Sequence, residues 1–261
     1  MHLDLSGKRA MVCGSTQGIG KASAIELASM GADITLVARN EEKLKTVLSE
    51  LDRSLNQKHD YIVVDFSFPQ ELKKTIEAYL SSNVVEILVN NTGGPPAGLA
   101  VNAKTDDFVK AFSHHLLCNH ILVQAVVPGM KNEKYGRIIN IISTSVKVPI
   151  KGLGVSNTIR GAVANWSKTL ANELGAFGIT VNNVLPGSTM TARLEEVISG
   201  KAAQKGKSFD EIKLEMIEEI PAKRIGEPHE IAAVVGFLAS PAAGYINGVN
   251  IPVDGGRTGA L

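Results

Sequence analysis

Short runs of β-branched and aliphatic residues alternate with longer amphipathic segments along the chain. The runs fall at 9–13, 33–37, 61–64, 86–90, 137–142 and 180–185, and helical patterns fill 18–30, 41–55, 70–81, 106–130 and 156–177. Such alternation predicts right-handed βαβ crossovers and a parallel sheet covered by helices on both faces. Ile87-Leu88-Val89 and Ile138-Ile139-Asn140-Ile141-Ile142 are nearly continuous rather than alternating, the pattern of central strands buried on both sides. No linker, repeat or low-complexity tract divides the series, so the reading is one domain over 1–261, a doubly wound sheet of about seven strands. One stretch departs from the rhythm. Residues 191–220 are polar, carry Lys201, Lys205 and Lys207, and fall between a strand and the next helix. A long insertion at that edge of a sheet is either a substrate lid or a solvated pair of surface helices.

Composition mostly excludes. Hydrophobic residues at 44% and charged residues at 20% leave no room for long disordered tracts. A formal charge of +1 gives no footprint for nucleic acid. Cys13 and Cys118 lie in apolar stretches without paired spacing, which predicts neither a disulfide framework nor a zinc site and fits a reducing, cytoplasmic compartment. The first eight residues lack a basic region leading into an apolar one, and no later run reaches membrane-spanning length. A soluble protein without a membrane partner is expected.

The chemistry begins at Gly14-Ser15-Thr16-Gln17-Gly18-Ile19-Gly20, which follows the first strand and opens the first helix. That context turns a glycine pattern into a Rossmann-type dinucleotide site, because backbone N–H groups at a helix N-terminus can grip a pyrophosphate. The second strand ends Ala38-Arg39, with no carboxylate for an NAD ribose but a guanidinium able to pair with a 2′-phosphate, so NADP(H) is preferred over NAD(H). The alternative is a surface arginine at the start of a helix. Asp65-Phe66 ends the third strand, where the carboxylate can bond an adenine amino group, and Asn91-Thr92-Gly93 ends the fourth, offering a close approach to the adenosine ribose. Each alone also reads as a strand-ending turn.

These features, together with Gly136-Arg137-Ile138-Ile139-Asn140-Ile141-Ile142-Ser143, Asn182-Asn183-Val184-Leu185-Pro186-Gly187 and the tail Asn247 to Gly256, make the chain similar to the short-chain dehydrogenase/reductase family. The resemblance runs from Gly7 to Gly256 and is nearest to the 3-oxoacyl-acyl-carrier-protein reductase-like branch. It implies an oxidoreductase acting on a small carbonyl or alcohol substrate, with Pro186, Gly187 and Thr189 facing a nicotinamide. It also implies a homodimer or homotetramer built through long helices and the C-terminal region.

The resemblance implies a catalytic serine, a tyrosine four residues before a lysine, and an asparagine on the long middle helix. Ser143 supplies the serine. Counting thirteen residues on reaches Ser156 where tyrosine is expected, and Arg160 stands where lysine is expected. None of Tyr61, Tyr79, Tyr135 and Tyr245 has a lysine four residues later, and the helix asparagine is replaced by His115. Ser156 can donate a hydrogen bond but is a poor acid, Arg160 can stabilise charge without relaying a proton, and His115 titrates near neutrality as a surrogate acid or is simply structural. His114, His115 and His120 lack the spacing of metal ligands on one helix face. Lys147 and Lys151 lie over the expected cleft as substrate cations or as ordinary loop lysines. Two functions follow: an NADP(H)-dependent oxidoreductase with altered proton delivery, or a non-catalytic NADP(H)-binding sensor or partner subunit.

Overall fold

The structure, a computed structural model, describes residues 1–260, so the last residue of the expected domain lies outside it. Strands β1 (Arg9–Cys13), β2 (Asp33–Ala38), β3 (Asp60–Val63), β4 (Ile87–Asn90), β5 (Gly136–Ile141), β6 (Ile179–Pro186) and β7 (Asn250–Val253) form one sheet in the order β3-β2-β1-β4-β5-β6-β7. Every neighbouring pair is parallel. The helices are α1 (Gly18–Ser29), α2 (Glu41–Glu50), α3 (Pro69–Leu80), α4 (Thr105–Phe112), α5 (Cys118–Glu133), α6 (Gly154–Leu174), α7 (Ala192–Lys205), α8 (Phe209–Glu218) and α9 (Pro228–Ala239). One apolar layer joins α1, α2 and α9 to the sheet through residues such as Leu27, Leu44 and Val235, and the other joins α3, α5 and α6 through Leu72, Leu122 and Leu170. Strand order reverses between β1 and β4, which opens a crevice beyond their carboxyl ends where ligands bind in such sheets.

Three elements differ from the pattern-based reading. The second helix stops at Glu50 rather than near 55, because Asp52 Oδ1 accepts the Ser54 N–H at 2.8 Å and offers the backbone a turn instead of another helical bond. The expected 106–130 helix is α4 and α5 joined by a π turn at Ser113–Leu117. The wider turn shifts the helical phase, and His115 is buried within it. Strand β7, without a bounded run of its own in the pattern, is a four-residue edge strand in which Pro252 is tolerated because no further strand needs its missing N–H.

Four asparagines stand side by side across the sheet, Asn90, Asn140, Asn183 and Asn250. Each amide donates to the next carbonyl, Asn90 Nδ2 to Asn140 Oδ1 at 2.8 Å, Asn140 Nδ2 to Asn183 Oδ1 at 3.0 Å and Asn183 Nδ2 to Asn250 Oδ1 at 2.8 Å. Asn140 also donates to Ser167 Oγ of α6 at 3.2 Å. At Asn90, Asn140 and Asn183, which are buried, an amide N–H left unpaired would lose its water without compensation.

The 191–220 insertion is the helical hairpin α7–α8, which has a small apolar core of its own around Leu194, Ile198, Ile212 and Met216. Lys205 and Lys207 both pair with Glu215 across the hairpin. Its base is tied down by Met190 N–H to Gly226 O at 2.8 Å and Gly226 N–H to Ser188 O at 2.9 Å. No helix among the described residues is long and apolar enough to cross a membrane.

Candidate active site

The glycine loop leaves β1 with Gly14 at φ +60°, a conformation costly for a side chain, and Gly14 N–H bonds Val37 O at 2.9 Å. A Cβ on Gly20 would overlap the Gly14 carbonyl, so the helix can approach the loop closely only without one. Ser15 is buried with its hydroxyl toward Val37 O, while Thr16, Gln17, Gly18 and Ile19 carry the chain over the crest. Gln17 caps α1 in extended conformation with no side-chain bond to the first turn, and that turn holds no acid. Its backbone N–H groups are left for an anion, and the helix dipole favours one.

Across the crevice, Asn91 Nδ2 donates to the carbonyls of Cys13 and Gly14, each at 3.3 Å, so the turn after β4 is bonded to the glycine loop. At the far side, Arg39 Nη1 lies 3.8 Å from Asp65 Oδ2, its side chain 77% exposed. The Ser67 backbone N–H holds the Asp65 carboxyl below its usual range, with Arg39 adding to the effect. Phe66 follows, its carbonyl accepting from Cys118 Sγ at 3.3 Å. The guanidinium is therefore free to turn toward a ligand while remaining beside an acid.

Beyond β4, Thr92 Oγ1 and His115 Nδ1 share a hydrogen bond of 2.5 Å, and the same ring bonds the Gly93 backbone. Burial, reinforced by the Arg160 guanidinium, pushes the His115 pKa down to about 2. The reading of His115 as a near-neutral acid gives way to a neutral ring that holds the Asn91-Thr92-Gly93 turn. Unfolding frees this ring to take up a proton below about pH 6.5. Stability contributed by the group is thus complete above that pH and is lost as pH falls, by about 2 kcal/mol at pH 5. Urea melts between pH 7 and pH 5 should show this slope, and His115→Gln should flatten it. An unchanged slope in the variant would mean that the ring charges within the folded protein.

Ser143, two residues past the end of β5, is extended, and its Oγ accepts from Ser145 N at 3.1 Å. Helix α6 packs on the following turn, Thr144–Val146. Ser156 and Arg160, one helical turn apart on α6, share a face. Arg160 is buried, donates from Nη1 to Ile141 O at 2.9 Å, and leaves its Nε without a partner. Burial and the Arg193 guanidinium push its pKa down to about 10, so it remains cationic at neutral pH. At the end of β6, Gly187 N–H bonds Val253 O at 3.0 Å, and the buried Thr189 turns its Oγ1 to Gly187 O at 3.3 Å. The strand ends thus gather the glycine loop, the Asn91 turn and Ser143 along one crevice, with Arg39 and Asp65 at its other end.

Arg193 of α7 is the residue that sequence reasoning passed over. Its Nη2 donates to Pro95 O at 2.7 Å, joining the hairpin to the turn after β4. Nothing in the spacing links it to Arg160; only the fold does. The lysines singled out in the insertion behave differently, two of them being paired with Glu215.

Comparison with known proteins places this geometry. The model of the enoyl-(acyl carrier protein) reductase family matches residues 14–258. The chain is 33% identical over 253 residues to 3-oxoacyl-[acyl-carrier-protein] reductase FabG of Haemophilus influenzae, covering 97% of this chain and 98% of that one. L-sorbose reductase from Gluconobacter frateurii, solved in complex with NADPH and L-sorbose, superposes with a TM-score of 0.93 at 30% identity over the whole of both chains. YwfH, an NADPH dependent reductase involved in bacilysin biosynthesis, superposes with a TM-score of 0.90 at 27% identity, over 98% of this chain and all of the other.

Proposed function

The chain belongs to the short-chain dehydrogenase/reductase family, a family of oxidoreductases acting on carbonyl and hydroxyl groups, and on that premise we propose that it uses NADP(H) with an altered proton path. The observation that carries the coenzyme choice is Arg39 at the carboxyl end of β2, following an alanine where an NAD-binding carboxylate would stand. The uncapped first turn of α1 fits the pyrophosphate, Asp65 fits the adenine, and Pro186, Gly187 and Thr189 flank the nicotinamide end.

A bound nicotinamide would supply or accept the hydride. The residues of this chain handle the oxygen. Ser143 Oγ–H donates to the substrate carbonyl, and the fixed charge of Arg160 stabilises the oxyanion that develops. Ser156 Oγ–H adds a second donor and passes on a proton drawn from water, since an aliphatic hydroxyl is too weak an acid to give up its own. Arg160 holds charge but moves no proton. The α7–α8 hairpin, tied to the β4 turn through Arg193, acts as the lid. Exposed apolar side chains at Val109, Phe112 and Leu117 suit the association of copies into a dimer or tetramer.

Arg39→Ala tests the coenzyme assignment. Losing a charge-assisted pair to a phosphate should weaken NADPH about 30-fold while NADH affinity stays within about two-fold. Fluorescence titration of both coenzymes, followed by carbonyl substrates in the same cuvette, reads this directly. Equal weakening of both would overturn the role of Arg39, and tight NADPH binding with no turnover of any ketone, aldehyde or quinone would overturn the enzymatic reading.

A further inference from the structure

Arg160 and Arg193 come from different elements, yet both reach one point. Arg160 Nη2 and Arg193 Nε each lie 3.9 Å from the position a Cβ on Gly94 would take. Gly94 follows the Asn91-Thr92-Gly93 turn, and Arg160 is bonded to Ile141 at the end of β5, two residues before Ser143, so the point lies beside the proposed reacting centre. Arg160 is 8% exposed, no carboxylate pairs with it among the described residues, and its Nε is unpartnered. Arg193 has Nη2 on Pro95 O and Nη1 3.3 Å from Glu196, an acid whose side chain is 69% exposed on the outer side of α7. Its Nε lies 3.9 Å from the same spot.

Two guanidiniums brought together repel each other, and the desolvated one, Arg160, has no acid partner among the described residues to offset its charge. A purely structural Arg160 would need only the bond to Ile141 O. The coenzyme's phosphates already have partners elsewhere, at the α1 N-terminus and at Arg39. The matching ligand is a second anion with planar or branched oxygens, which guanidinium forks recognise well.

We propose that the substrate carries an oxyanion, a carboxylate or a phosphate, gripped jointly by Arg160 and Arg193 over Gly94, with Arg193 supplied by the hairpin. This rests on the oxidoreductase reading for the meaning of the site, although binding of the anion can be measured without turnover.

Calorimetry on the full-length protein, with and without NADPH, would compare two matched pairs, pyruvate against methyl pyruvate and dihydroxyacetone phosphate against dihydroxyacetone. The charged member of at least one pair should bind about ten-fold more tightly than its neutral partner or better, and the pair that discriminates tells carboxylate from phosphate. Arg193→Gln, at an exposed position on α7, should abolish most of this preference with NADPH affinity within about two-fold, Arg193→Lys should recover part of it, and circular dichroism checks that the hairpin stays folded without the bond to Pro95 O. No preference for either charged member, or an equal loss of NADPH binding in Arg193→Gln, would overturn the proposal. Absence of NADPH binding with the anion preference intact would instead overturn the coenzyme reading alone.

Discussion

Gly14→Ala should lower NADPH affinity on the order of a hundred-fold, as about 3 kcal/mol of combined strain and displacement would do. Two effects add. The added methyl must sit on a backbone at φ +60°, and it would stand 2.6 Å from Asn91 O and 2.8 Å from Asn91 Nδ2. Relief requires either the glycine loop or the β4 turn to move, and both form the same crevice. Because Asn91 Nδ2 is the group that ties the two together, its displacement also frees the Cys13 and Gly14 carbonyls from their side-chain partner. Fluorescence titration measures the coenzyme affinity, and circular dichroism separates loss of the site from loss of the fold. Wild-type affinity in Gly14→Ala would show that the loop does not need this conformation to hold its ligand.

Asn140→Leu is expected to carry the largest stability penalty away from the site, about 3–5 kcal/mol, since several buried partners lose their mate at once. Asn90 Nδ2 is left without an acceptor, and Asn183 Oδ1 and Ser167 Oγ without a donor. Leucine fills a similar volume, so the penalty reads the polar network rather than a cavity. Asn140 has no exposed surface through which water could replace the bonds. Scanning calorimetry should show the melting temperature falling by about 10 °C. A loss under about 1 kcal/mol would mean that the neighbours re-pair without Asn140.

Much of this protein is legible in its sequence because the informative signals are local. Glycines between a strand and a helix, or a continuous Ile-Leu-Val run, state their structural requirement within a few residues. The fold and the crevice beyond the ends of β1 and β4 are visible in that way. What depends on tertiary context is not. His115 has the intrinsic pKa of a neutral-range acid, and only its burial in a π turn beside Arg160 makes it a neutral clasp for Thr92 and Gly93. Arg193 looks like one more charge in a polar insertion until α7 brings it against Pro95. The early end of α2 follows from competition between one aspartate side chain and the helical bond, a balance that hydrophobic periodicity does not register.

The row of asparagines across β4 to β7 bears on how the catalytic geometry is set. Strands that are aliphatic on both faces can slide by two residues and still bury the same kind of surface, so hydrophobicity alone scarcely distinguishes one alignment from the next. A shifted strand would face an amide with a methyl group, and that mismatch penalises every alignment but the native one. The buried polar row thus works as an indexing key, fixing the register of β4, β5 and β6 and with it the offsets at which Asn91, Ser143 and Gly187 leave the sheet, one, three and four residues past the row. The accuracy of the reacting centre is inherited from side chains that never touch a ligand.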